Sequence, residues 1–146
     1  MVEITPLIIN NESVAGGTKF EVASPATGQV LGHCASASLD DANHAVDTAK
    51  AAFPAWSEKK PAERRDIMLK AAEIMQCRKE ELLRYQMEET GAERPFVETT
   101  FMMGVNLIKD VAGRISTIEG RVPTAVQDSA MVLKEPYGVV LGIAPW

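Results

Sequence analysis

The side chains able to do chemistry are few and scattered. His33 and Cys34 are adjacent, which invites a thiolate–imidazole couple. They sit in an apolar run over residues 30–34 that reads as a strand. Neighbours on a strand point to opposite faces, so the two are not expected to share a proton. Cys77 stands alone on an expected helix, where packing is its role. The two cysteines lack metal-ligand spacing and read as reduced thiols of a cytoplasmic protein. His44 falls on the polar side of a helix. Glu88 and Glu89 are helix neighbours that face different ways, so they read as a solvated face and not as an acid–base pair. Arg64 and Arg65 lie near a helix start, against its dipole, and one of them is expected to pair with a carboxylate elsewhere. Neither a G-x-G-x-x-G nor a Walker A pattern occurs.

The elements that must hold these residues alternate in type. Residues 7–10 and 20–23 bracket Gly16-Gly17 and read as a hairpin or two short strands, with residues 30–34 adding a third. Ser38 opens a helix, and Asp41 three residues later completes a capping box. Ala42, Val46, Ala49 and Phe53 give that helix one apolar face, Pro54 is expected to end it, and Trp56 to follow in the loop. Pro61 suits the first turn of a second helix. Met68, Ala71, Ala72, Met75 and Leu82 make its stripe. A break is expected near Glu80, then a shorter helix to Thr90 with Gly91 as its terminator.

The longest helix is expected over residues 95–118. It is apolar nearly all round, from Phe96 through Met103 and Leu107 to Ile115, which predicts burial on several sides. Gly104 inside it predicts a close backbone neighbour. Residues 131–135 and 139–143 read as strands about the turn Pro136-Tyr137-Gly138. The second has no alternation, as in a strand covered on both faces. Together these elements predict an α+β fold, with helices packed on a small, mostly antiparallel sheet.

Composition bounds the rest. The chain has 146 residues, 46% hydrophobic and 24% charged, with a net charge of −5, enough for one domain with a core. Its acidity and lack of basic clusters argue against a nucleic-acid partner. No secretory signal or membrane span is visible.

Several motifs carry a family resemblance: IIN at residues 8–10, SPATG at 24–28, AFPAW at 52–56, the P-x-E-R-R start at 61–65, EETG at 88–91 and KEPYGVVLGIAPW at 134–146. Together they resemble the N-terminal portion of the NAD(P)-dependent aldehyde dehydrogenase superfamily, in particular members that act on aromatic aldehydes. The resemblance spans essentially the whole chain. It implies that residues 1–146 form a single, truncated N-terminal domain, ending in the first strand of an incomplete Rossmann-like cofactor domain.

By the same resemblance, Ile143, Ala144, Pro145 and Trp146 match the edge of the nicotinamide site. Met103 matches a wall of the substrate tunnel, with Asn106 and Leu107 one turn further along. The family's reaction is thiolate attack on an aldehyde, hydride transfer to NAD or NADP, and thioester hydrolysis. Neither Cys34 nor Cys77 resembles the family's catalytic cysteine motif. The chain alone is therefore expected to bind no cofactor and to be no dehydrogenase. Two other readings stand beside this one: a non-catalytic remnant that homo-oligomerises through its terminal strands, and a cofactor-independent enzyme using an apolar pocket on the long helix.

Overall fold

The computed structural model describes residues 4–124 and 130–144. The architecture is α+β, as the patterning predicts. Strands β1 (Ile4–Thr5), β2 (Leu7–Ile9), β3 (Glu12–Val14), β4 (Thr18–Ala23) and β5 (Val30–Ser36) precede helices α1 (Leu39–Ser57), α2 (Pro61–Cys77), α3 (Lys79–Thr90) and α4 (Arg94–Arg114). A 3₁₀ turn, Ile115–Thr117, follows α4. One sheet has the order β1-β5-β4, with β1 parallel and β4 antiparallel to β5; the other is the antiparallel pair β2-β3.

The strand pairing differs from the expected hairpin. Residues 7–9 pair with residues 12–14 across Asn10 and Asn11, whose φ angles are 53° and 63°. Two left-handed residues in succession are what a tight type I′ hairpin requires, and asparagine tolerates that conformation better than most residues. Residues 20–23 pair with β5, placing Glu21 opposite His33 and Phe20 opposite Cys34.

The helix starts follow their local chemistry. Ser38 Oγ accepts from the Asp41 backbone N–H at 3.1 Å, while Asp41 Oδ2 accepts from the Ser38 N–H at 2.8 Å, which is the expected box. Pro61 occupies the first turn of α2. Gly91 closes α3 with φ of 69° and donates its N–H to the Met87 carbonyl.

Pro54 does not end α1, which continues through it to Ser57 and takes Trp56 into its last turn. Proline removes one N–H donor from the ladder. Its own carbonyl is satisfied twice, by Ser57 Oγ at 2.8 Å and by the Glu58 N–H at 3.1 Å, which holds the last turn together. The break after α2 falls at Arg78, so Leu82 belongs to α3, and Cys77 is exposed rather than packed.

The core lies among α2, α3 and α4: Ala72, Leu83, Val97, Phe101 and Val105, flanked by Met75, Met87 and Ile108. Each large side chain buried here contributes about 1.5–3 kcal/mol. Within α4 the buried residues Val97, Phe101, Val105 and Ala112 recur at helical spacing and form a single stripe. The expectation that α4 is buried on several sides is therefore not met. Phe96, Met103 and Leu107 are exposed, because this chain supplies helices to one side of α4 only. Nor does another backbone approach Gly104: a Cβ there would meet nothing within 4 Å.

The two expected terminal strands are absent. Over residues 131–135 the only pairing is a bridge of Val132 with Arg121, and residues 139–143 pair with nothing among the described residues. A strand exists through its neighbour's hydrogen bonds; residues 131–135 have one bridge, and residues 139–143 have none among the described residues. The first strand of the expected Rossmann-like unit is therefore not formed, and Val140, Leu141 and Ile143 are 76%, 84% and 88% exposed.

Candidate functional site: the uncovered face of the long helix

The α4 face opposite the core stripe carries Phe96, Met103 and Leu107, with Asn106 flanking Met103 on its other side. Residues three and four apart on a helix are surface neighbours, so Met103, Asn106 and Leu107 form one contiguous patch. Met103 is 65% and Leu107 is 63% exposed. The helix is anchored at its start by Arg94, which reaches Glu80 of α3 at 2.8 Å and Glu98 at 3.1 Å. These hydrogen-bonded carboxylates raise the Arg94 pKa above its ordinary value, the Glu80 hydrogen bond being the largest cause. The core stripe holds the opposite side, so the patch is presented on a rigid element.

Ile143 and Ala144, the described residues matched to the cofactor site, are exposed. Pro145 and Trp146 lie outside the described residues. As an edge for a planar nicotinamide ring, Ile143 and Ala144 fit chemically. Among the described residues no glycine-rich turn opens a helix to take the pyrophosphate.

His33 lies 3.7 Å from its cross-strand partner Glu21, through Nε2 and Oε1. Cys34 is half-buried. Both border a hollow of about 540 Å³ between β5 and α3, rimmed by Arg78, Arg84, Glu88 and Glu89. Arg78 is engaged with Glu81 at 2.8 Å, and that hydrogen bond holds the Glu81 carboxyl below its ordinary pKa. Arg65 pairs with the adjacent Asp66 at 3.0 Å, and not with a carboxylate elsewhere as expected. Arg64 Nε is buried without a partner among the described residues. No group of three metal-ligating side chains occurs among the described residues, and no helix there is long and apolar enough to cross a membrane.

A second hollow, of about 610 Å³, was not foreseen as a particular place. It lies where α2, α3 and α4 meet, with Met75, Leu82 and Phe101 at its floor and Gly104 at its side. The sequence signal for it is Gly104, a helix-interior glycine with no packing reason inside the chain.

The fold, its helix order and the terminal motif coincide with one family. Residues 12–146 match the model of the aldehyde dehydrogenase family, and the chain belongs to that family. Among curated relatives, it is 41% identical over 145 residues to a vanillin dehydrogenase of Pseudomonas fluorescens and 30% identical over 146 residues to a salicylaldehyde dehydrogenase of Pseudomonas putida. Each alignment covers 97% of this chain and 30% of the relative. The chain therefore spans about a third of the length of these relatives and corresponds to their N-terminal portion. Among solved structures, the salicylaldehyde dehydrogenase from Pseudomonas putida G7, complexed with salicylaldehyde, superposes with a TM-score of 0.82 at 26% identity. That match covers 88% of this chain and 27% of the other.

Proposed function

We propose that the chain forms the N-terminal region of an NAD(P)-dependent dehydrogenase of aromatic aldehydes, in which the uncovered face of α4 is one wall of the aldehyde site. The observation that carries this reading is the opposition of the two α4 faces. Val97, Phe101 and Val105 close the chain's own core, while Met103 and Leu107 stand outward, more than half exposed. Exposed apolar side chains clustered on one rigid face mark a binding surface. The relatives named for aromatic aldehydes support an aryl group as what it meets.

Met103 and Leu107 would pack on the faces and edge of the ring and keep water from it. Methionine suits this contact, since its thioether is polarisable and adapts to aromatic edges. NAD(P)+, when bound, supplies the hydride acceptor, and Ile143 and Ala144 would border its nicotinamide. The catalytic thiolate is assigned to neither Cys34 nor Cys77. Cys77 is exposed on α2, and Cys34 sits in β5 beside the hollow it shares with α3, away from the α4 face.

The test is steady-state NADH production by the enzyme carrying this region, with Met103→Ala and Leu107→Ala. The expected result is a higher KM for benzaldehyde-type substrates, with short aliphatic aldehydes little changed. An unaltered preference between aryl and alkyl aldehydes in both variants would overturn the assignment of this face.

A second reading is favoured by the exposure of Val140, Leu141 and Ile143: the terminal segment is an association surface for another copy. It predicts a light-scattering mass above that of one chain, reduced by Leu141→Lys. A monomeric mass at every concentration would remove it.

A further inference from the structure

Arg64 carries a cost that nothing among the described residues offsets. It ends the first turn of α2, where its charge opposes the positive end of the helix dipole. Its Nε is buried and has no hydrogen-bond partner, and a charged N–H taken out of water without an acceptor is costlier than a neutral one. The side chain borders a hollow of about 550 Å³ between α2 and residues 133–136. Glu135 is the one carboxylate among the described residues that line this hollow, and it joins no ion pair among them. The segment carrying Glu135 is already seated close by. Val132 and Arg121 exchange backbone hydrogen bonds of 2.9 and 2.7 Å. The Val132 carbonyl oxygen lies 2.7 Å from where a Cβ on Gly120 would stand, so only glycine admits so close an approach. Past that bridge no backbone pairing holds the chain among the described residues. In an extended chain Leu133 and Glu135 fall on the same side, and both border the hollow.

We infer that Arg64 is a positioning residue whose partner is Glu135, and that this ion pair clamps residues 131–136 onto the start of α2 and fixes the run that follows, residues 139–144, at the cofactor edge. An arginine fork gives Nε–H and one Nη–H to the two oxygens of a single carboxylate, which sets direction as well as distance. Because Nε is already out of water, the pair forms without further desolvation of that group. Lys134, beside Glu135, is a cation and supplies no acceptor. Only the turn Pro136-Tyr137-Gly138 separates Glu135 from Val139, so whatever holds Glu135 sets where the apolar run begins. The pair also gives Arg64 the distant carboxylate that its place against the helix dipole requires.

This inference rests on the terminal run bordering the cofactor, and a double-mutant cycle read in two ways separates it from that reading. The enzyme carrying this region is made as wild type, Arg64→Met, Glu135→Leu and the double variant. Methionine keeps the apolar stem of the arginine and removes its donors. Thermal unfolding reads the pair without turnover, and NADH production at saturating aldehyde reads KM for the dinucleotide. The expected result is a lower Tm in each single variant with no further fall in the double. KM for the dinucleotide should rise about tenfold in all three, the loss of one charged hydrogen bond, with KM for the aldehyde unchanged. Glu135→Gln, which keeps an acceptor oxygen, should recover most of both differences. Additive losses in Tm would overturn the pair. Coupled unfolding with an unmoved dinucleotide KM would overturn the positioning role. An enzyme that oxidises no aldehyde, its unfolding cycle still coupled, would refute the dehydrogenase reading while supporting the clamp.

Discussion

Replacing Gly104 with alanine should stabilise this chain. Glycine in a helix interior is less favourable than alanine by about 0.8–1.0 kcal/mol, because it has more backbone freedom to lose. Normally such a glycine is kept because a methyl would collide with something. At Gly104 the methyl would meet nothing within 4 Å beyond its chain neighbours and the helix's own backbone, and the residue borders the hollow that Phe101 and Leu82 also line. The whole propensity gain should therefore be realised. With a urea slope of about 1–3 kcal/mol/M for a small domain, the unfolding midpoint of the chain should rise by about 0.3–1 M. Gly91→Ala is the control with the opposite sign. There φ is +69° and Pro25 Cγ lies 3.1 Å from the methyl position, so a loss of roughly 1–2 kcal/mol is expected from the left-handed backbone alone. Urea titration followed by circular dichroism reads both. A midpoint for Gly104→Ala at or below that of the wild type would refute the reasoning, and would mean that another segment closes on that spot in solution.

Three further outcomes follow from the same coordinates. Leu83→Ala should cost about 2–5 kcal/mol, because Leu83 is 1% exposed at the centre of the α2–α3–α4 core; thermal unfolding would show it, and a loss within experimental error would contradict that core. Asn11→Gly should stabilise the chain by up to about 1 kcal/mol by relieving a left-handed residue in the β2–β3 turn, again read from the urea midpoint. The Asp41 carboxyl is held below its ordinary pKa, first by the Ser38 backbone N–H and then by the Ser38 hydroxyl. A depressed folded-state pKa gives stability that is present above the unfolded value and lost as pH falls through the folded one. The wild type should therefore lose helix-cap stability below about pH 4, and Asp41→Asn should flatten that part of the pH–stability curve.

The features legible in the residues were those whose chemistry is local. The Ser38–Asp41 box, Pro61 in a first turn and Gly91 at a helix end each need only a few neighbouring backbone groups, and each forms as expected. The hairpin over residues 7–14 was signalled by the Asn10-Asn11 doublet, but the glycine pair at 16–17 drew attention to the wrong connection. Pro54 carries a local stop signal, whereas two hydrogen bonds to its carbonyl hold a further turn. Apolar periodicity placed Met103 and Leu107 on a buried helix, yet it counts apolar faces without saying which molecule covers them. Only the packing of α2 and α3 against α4 separates the face the chain keeps for itself from the one it offers. The same blindness explains residues 139–143, whose β-rich composition is plain and which find no pairing partner among the described residues.

Helix α1 has a well-made cap and a braced last turn, but none of its residues is buried. Tertiary packing, rather than capping, supplies most of a helix's stability in water. In this chain α1 is thus held loosely, and its amide protons should exchange with solvent well ahead of those along the Val97–Ala112 side of α4. A probe on α1 would then report an early opening that leaves the rest of the molecule folded, so the chain would not melt as one cooperative unit.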